Sequence, residues 1–120
     1  MLLMAHSMTA RNALILAPPF AVEEALKTLG ANLRIARLRR KLTINEIGQK
    51  IGTGPRAVMD AEKGKPSTAI AVYVALLWAL DLIDHLSEVA SPARDDQGLA
   101  LSLPREDSRA RARGAMDNDF

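Results

Sequence analysis

The sequence predicts an all-α domain, with an N-terminal extension ahead of it and a short strand and tail behind it. Three observations carry that prediction. Residues 42–64, LTINEIGQKIGTGPRAVMDAEKG, read as two short helices joined by a glycine turn. Ahead of them, apolar side chains recur at helical spacing from Val22 to Ala36. The chain is 48% apolar but only 3% aromatic, so its core must be built from Ala, Leu, Ile and Val, which suits small packed helices.

At 120 residues, one domain with room for flexible ends is expected. Residues 1–19 form an arm: Met1, Met4 and Met8 follow no clear period up to Arg11. The apolar run ALILA at 13–17 is either a strand or a segment lying on the core, since five residues do not distinguish the two. Pro18 and Pro19 break it and introduce a helix. Glu23 and Glu24 stand near that helix start, favourably placed against its dipole. The stripe Val22, Leu26, Leu29, Leu33 and Ala36 predicts one long helix to about Arg40, passing through Gly30.

Thr43-Ile44-Asn45-Glu46 is a capping-box pattern, in which the threonine hydroxyl takes an orphan amide and Glu46 reaches back. Ile44, Ile47 and Ile51 then share one helical face, and Gly52 ends the helix by entering the left-handed conformation. Gly54 and Pro55 open the next helix, because proline at the first helical position gives up an amide that had no partner. Val58 and Ala61 supply its buried face. Gly48 costs up to about 1 kcal/mol against alanine, and close packing of the second helix over it is the expected return.

Beyond Gly64, Lys65-Pro66 turn the chain and Ser67 is expected to cap a helix over 67–80, apolar on nearly every face and therefore central. Asp81 is the expected cap of a further helix, 82–90, with Leu82, Ile83, Leu86 and Val89 inward and Ser91-Pro92 as its stop. These elements place the domain at 20–90. Within 91–103, GLALSL puts a leucine at every second residue, the period of a strand. That strand needs a neighbour: the 13–17 run, a second subunit, or none at all. Residues 104–120, with four arginines against four acids, read as a disordered tail.

Formal net charge is only +2, so any basic surface comes from clustering. Arg34, Arg37, Arg39, Arg40 and Lys41 fall within residues 31–41 with no acid among them, which favours phosphate contact. Without cysteine there are no disulfides, and His6 and His85 are too far apart in sequence to suggest a metal site. His85 near Asp81 and Asp84 has no matched nucleophile, and there is no glycine-rich phosphate loop, so neither an enzyme nor a cofactor is expected. No apolar run approaches the roughly 20 residues that span a bilayer, and a cytoplasmic protein is expected. Trp78 and Tyr73 read as core or dimer surface.

Residues 29–64 resemble the Xre (phage repressor/Cro) helix-turn-helix family, through LRxARxRR from Leu33 to Arg40, TxxEIGQKIG from Thr43 to Gly52, and AEKG from Ala61 to Gly64. The resemblance implies a five-helix, lambda-repressor-like domain that binds double-stranded DNA and represses transcription as a homodimer. It implies a buried Arg37–Glu62 pair, a scaffold of Thr43, Glu46, Gly48, Gly52 and Val58, and base contact from Gly54, Pro55, Arg56 and Asp60. Arg39, Arg40 and Lys41 of the acid-free cluster, with Asn45, are the expected phosphate contacts, and Lys63 and Lys65 at the end of the motif either touch phosphates or are simply solvated. WALDLIDHL and SPARDDQGLAL are also similar to HipB-type antitoxins, which partner HipA-like kinase toxins and regulate their own operons. That narrower likeness implies a C-terminal strand paired across the dimer, with Leu82, Leu86, Leu99, Leu101 and Leu103 at the interface. Departures stand beside the match: Ile44 replaces a DNA-contacting glutamine, Gly54 lacks a capping side chain, and Pro55 cannot hydrogen-bond a base. They motivate an alternative, an interaction module with this fold that binds a partner protein and little or no DNA.

Overall fold

The structure, a computed structural model, describes residues 12–103, and every regular element among them is helical. Residues 12–16 form a short helix, α1. It is followed by α2 (Phe20–Arg39), α3 (Ile44–Ile51), α4 (Pro55–Glu62) and α5 (Ile70–Ala79). Two 3-10 segments, Ile83–Glu88 and Pro92–Arg94, lead to a last helix, α6, over residues 96–103. Two compact units are present, one ending at Ile83 and one beginning at Asp84. No helix among the described residues is long and apolar enough to cross a membrane. The arm 1–11 and the tail 104–120 lie outside the described residues.

The first unit is held by a small aliphatic core. Leu33 and Ala36 of α2, Ile47 of α3, Val58 and Ala61 of α4, and Tyr73, Leu76 and Ala79 of α5 are buried together with Leu80. Helix α4 packs against α2, α3 and α5, so the short central helix is gripped from three sides. The α2–α4 approach depends on two glycines. A Cβ at Gly30 would stand 2.6 Å from the Ala61 and Glu62 carbonyls and 2.7 Å from the Gly64 nitrogen. Gly64 itself has φ +70 and faces the Leu26 backbone of α2. Gly48 plays a milder version of the same part, with its absent Cβ 3.0 Å from the Thr53 carbonyl and 3.6 Å from Val58 Cγ2.

The capping expectations are met at α3. Thr43 Oγ1 accepts from the Glu46 amide at 3.0 Å, and the Thr43 amide donates to Glu46 Oε1 at 2.8 Å. Gly52 closes the helix at φ +84. Elsewhere the ends differ from expectation. Ser67 caps nothing: it is exposed in a turn closed by the Thr68 amide on the Lys65 carbonyl, and α5 begins three residues later behind Ala69. Asp81 ends a helix instead of starting one. It adopts φ +61, its amide donates to the Trp78 carbonyl, and the Leu82 amide reaches the Leu77 carbonyl, the pairing of a Schellman cap. The segment that follows is 3-10, with Leu82 half-buried against the core but Ile83 and Val89 exposed. Helix α5 is less covered than its composition suggests, for Ile70 and Trp78 are exposed. Lys50 Nζ lies 5.8 Å from the Trp78 ring and donates to the Ala79 carbonyl at 3.3 Å.

The strand expected at 98–103 is not formed; residues 96–103 are helical. The cause is local. Asp95 Oδ1 accepts the Gly98 amide at 2.9 Å and the Asp95 carbonyl accepts the Leu99 amide at 3.0 Å, so Asp95 behaves as a helix N-cap. The alternation of leucines therefore loses its two-residue meaning. Leu99 and Leu103, four apart, come to one side of a helix, and Leu101 turns to the other. All three are exposed. The 13–17 run, whose first four residues belong to α1, is likewise no strand; the Ala17 amide donates to the Ala13 carbonyl at 3.1 Å.

Candidate nucleic-acid interface

The N-terminal ends of α3 and α4 open on one groove of about 600 Å³. Thr43, Ile44 and Asn45 come from the start of α3, Pro55 and Met59 from α4, and Leu38, Lys41 and Leu42 from the end of α2. Arg37 lies behind them, and no carboxylate lines the groove. Two helix N-termini at one surface give it positive partial charge. At α3 the capping box consumes part of that potential. At α4 the cap is Gly54, with no side-chain bond, so the first-turn amides are left to solvent or a ligand.

Lys41 is held there at some cost. Helix α2 ends in a Schellman cap: the Lys41 amide donates to the Leu38 carbonyl at 2.9 Å and the Leu42 amide to the Arg37 carbonyl at 3.2 Å. The cap requires a left-handed residue, usually glycine, and Lys41 takes it at φ 56. A left-handed non-glycine residue costs on the order of 1–2 kcal/mol. Lys41→Gly is therefore expected to stabilise the fold by about 1 kcal/mol in thermal denaturation. If its charge serves binding, the same variant weakens binding to a polyanion.

Arg37 and Glu62 form the expected tie between α2 and the end of α4. Arg37 Nε donates to Glu62 Oε2 at 2.6 Å and Nη2 to Oε1 at 3.0 Å, with the two side chains 8% and 7% exposed. A third donor, Nη1, takes the Leu42 carbonyl at 2.9 Å and fixes the α2–α3 turn. Bonding to Glu62 raises the Arg37 pKa above its ordinary value, burial opposing. Its charge is spent on the scaffold.

The outward face of α4 carries Pro55, Arg56, Met59 and, just past its end, Lys63. Arg56 stands free in solvent. Asp60 does not point the same way. It pairs with Lys65 at 3.3 Å, and one carboxylate oxygen is buried. The Lys65 carbonyl in turn accepts the Tyr73 hydroxyl at 3.1 Å, so the exit of α4 is tied to α5. Burial pushes the Tyr73 pKa up. Asp60 and Lys65 largely cancel one another, and among the described residues Lys63 at that end forms no ion pair. Asn45 lines the groove beside Lys41. Arg39 and Arg40 instead line a separate depression with Asn32, Ile35 and Leu82, and Arg40 Nη1 also donates to the Ala36 carbonyl at 2.9 Å. The structure thus brings Lys41, Asn45 and Pro55 together, and sets Arg39 and Arg40 apart from them. Among the leucines assigned to a dimer interface, Leu82 and Leu86 are half-buried, and the three on α6 are exposed.

Met59 and Leu38 were not among the expected site residues, yet both line the groove and are 37% and 46% exposed. Met59 had a legible signal: it is four residues past Pro55 and three past Arg56, on their helical face. Comparison with protein-family models, with curated proteins and with solved structures gives no match.

Proposed function

We propose that this chain is a sequence-specific DNA-binding protein of the Xre helix-turn-helix type, acting as a homodimeric transcriptional repressor. One observation carries the reading: α3 and α4 present their N-terminal ends at a single acid-free groove rimmed by Lys41 and Asn45, with Arg56 free beside it. In this reading α4 enters the major groove and the two half-sites lie about one helical turn apart. Lys41, Asn45 and Lys63 take phosphates, and Arg56 takes base edges, since a guanidinium bonds guanine O6 and N7 together. Arg37 and Glu62 hold the two elements in register.

Selection of duplexes from a pool with a random window tests the proposal. The full chain is expected to enrich a defined half-site. Arg56→Ala should lower affinity for the enriched duplex by about 1–3 kcal/mol and relax preference at one position. Equal loss on enriched and random duplexes would remove Arg56 from base reading. The rival reading, a protein-binding module, is favoured by the exposed Leu38 and Met59 in the groove; absence of any enrichment would support it. An antitoxin role is a further part of the proposal, resting on the HipB-like segment alone. Co-purification of a kinase-like partner with the full chain supports it, and a chain that purifies alone counts against it.

A further inference from the structure

We propose that the groove between α3 and α4 reads thymine, its apolar side chains receiving C5 methyl groups while Lys41 holds an adjacent phosphate. This rests on the DNA-binding reading and adds the identity of the base. The groove's lining combines two chemistries. Lys41 and Asn45 are polar; Leu38, Ile44, Pro55 and Met59 are not. Leu38 and Met59 are large apolar side chains left open to solvent on a surface with a cationic rim and no carboxylate. A duplex complements both at once. Its phosphates suit the rim, and the thymine methyl is the apolar group that a base pair presents in the major groove.

Three residues at the starts of α3 and α4 offer a base no side-chain hydrogen bond. Ile44 carries no donor or acceptor in its side chain, Gly54 has no side chain, and Pro55 has no N–H. Asp60, the remaining acidic position, is turned onto Lys65. With Arg37 spent on Glu62 and Lys41 on phosphate, Asn45 is the lining side chain left to hydrogen-bond a purine. A methyl group meets a lining that is largely apolar. Arg56, on the outer side of Pro55, is left to read a neighbouring pair. Met59 is open to solvent on the α4 side of the groove, and its unbranched, polarisable side chain adapts to small changes in position.

Uracil keeps every hydrogen-bonding group of thymine and lacks only the methyl, so the exchange isolates this contact. The probe is the pool of duplexes enriched on the full chain, recopied with deoxyuridine in place of thymidine. Wild-type protein should bind the recopied pool about fourfold more weakly for each methyl it contacts. Met59→Ala and Met59→Gln, at an exposed position and so expected to fold, should narrow the difference between the two copies. Arg56→Ala should lose affinity for both and keep their ratio. Equal binding of both copies by wild type, or a ratio unchanged by Met59→Ala, would overturn the thymine assignment while leaving DNA binding intact. Failure to enrich any duplex would instead overturn the DNA reading and this assignment with it.

Discussion

Replacing Glu62 by alanine should destabilise the domain by about 3 kcal/mol, because it leaves the Arg37 guanidinium buried without its counter-charge. The pair is bidentate, at 2.6 and 3.0 Å, and both side chains are under a tenth exposed. Arg37 keeps one bond, to the Leu42 carbonyl, which cannot compensate a full charge. At a few degrees per kcal/mol for a domain of this size, the melting temperature should fall by about 15 °C. The double variant Arg37→Met, Glu62→Leu should recover most of that loss, since apolar replacements of a buried pair are often neutral or better. A Glu62→Ala protein that melts with wild type by circular dichroism would mean that water reaches the pair freely.

Gly30→Ala should cost about 2 kcal/mol or more, although alanine normally improves a helix by up to about 1 kcal/mol. The sign inverts because the new methyl would meet backbone, not flexible side chain. Its neighbours would be the Ala61 and Glu62 carbonyls at 2.6 Å and the Gly64 nitrogen at 2.7 Å. Helix α4 would have to move off α2, taking Glu62 away from Arg37. Gly54→Ala is the contrasting control: no atom lies within 4 Å of its added Cβ, and its φ is −80. It should leave stability within about half a kcal/mol of wild type. Thermal denaturation of the two variants side by side checks both expectations.

The scaffold was legible in sequence where local chemistry and tertiary packing agree. Thr43 and Glu46 close their box, Gly52 turns left-handed, and the stripe from Leu26 to Ala36 becomes the buried side of α2. The reason for Gly30 was not legible, because its partner is the backbone of Ala61 to Gly64, more than thirty residues on. The C-terminal segment failed for another reason. Leucine alternation at 99, 101 and 103 mimics a strand, but a strand needs a ladder partner, whereas Asp95 supplies a helix cap from within the segment. A dimer strand is therefore no longer part of the picture. At the candidate site, charge alone did not separate cations by direction. Arg39, Arg40 and Lys41 are adjacent in sequence, yet only Lys41 lies on the groove with α3 and α4. Asp60 stands at a base-contact position by the resemblance, yet it pairs with Lys65, a contact that depends on the turn after α4.

Fluorescence-anisotropy titration of the full chain with the enriched duplex, repeated from about 50 to 200 mM salt, reads whether the groove holds a duplex through its phosphates. Binding should be tight at low salt and weaken linearly in log–log form, with the slope about one unit shallower for Lys41→Ala and unchanged for Arg39→Ala. Binding that ignores salt, or none at micromolar protein, would contradict a phosphate-bound duplex on this groove.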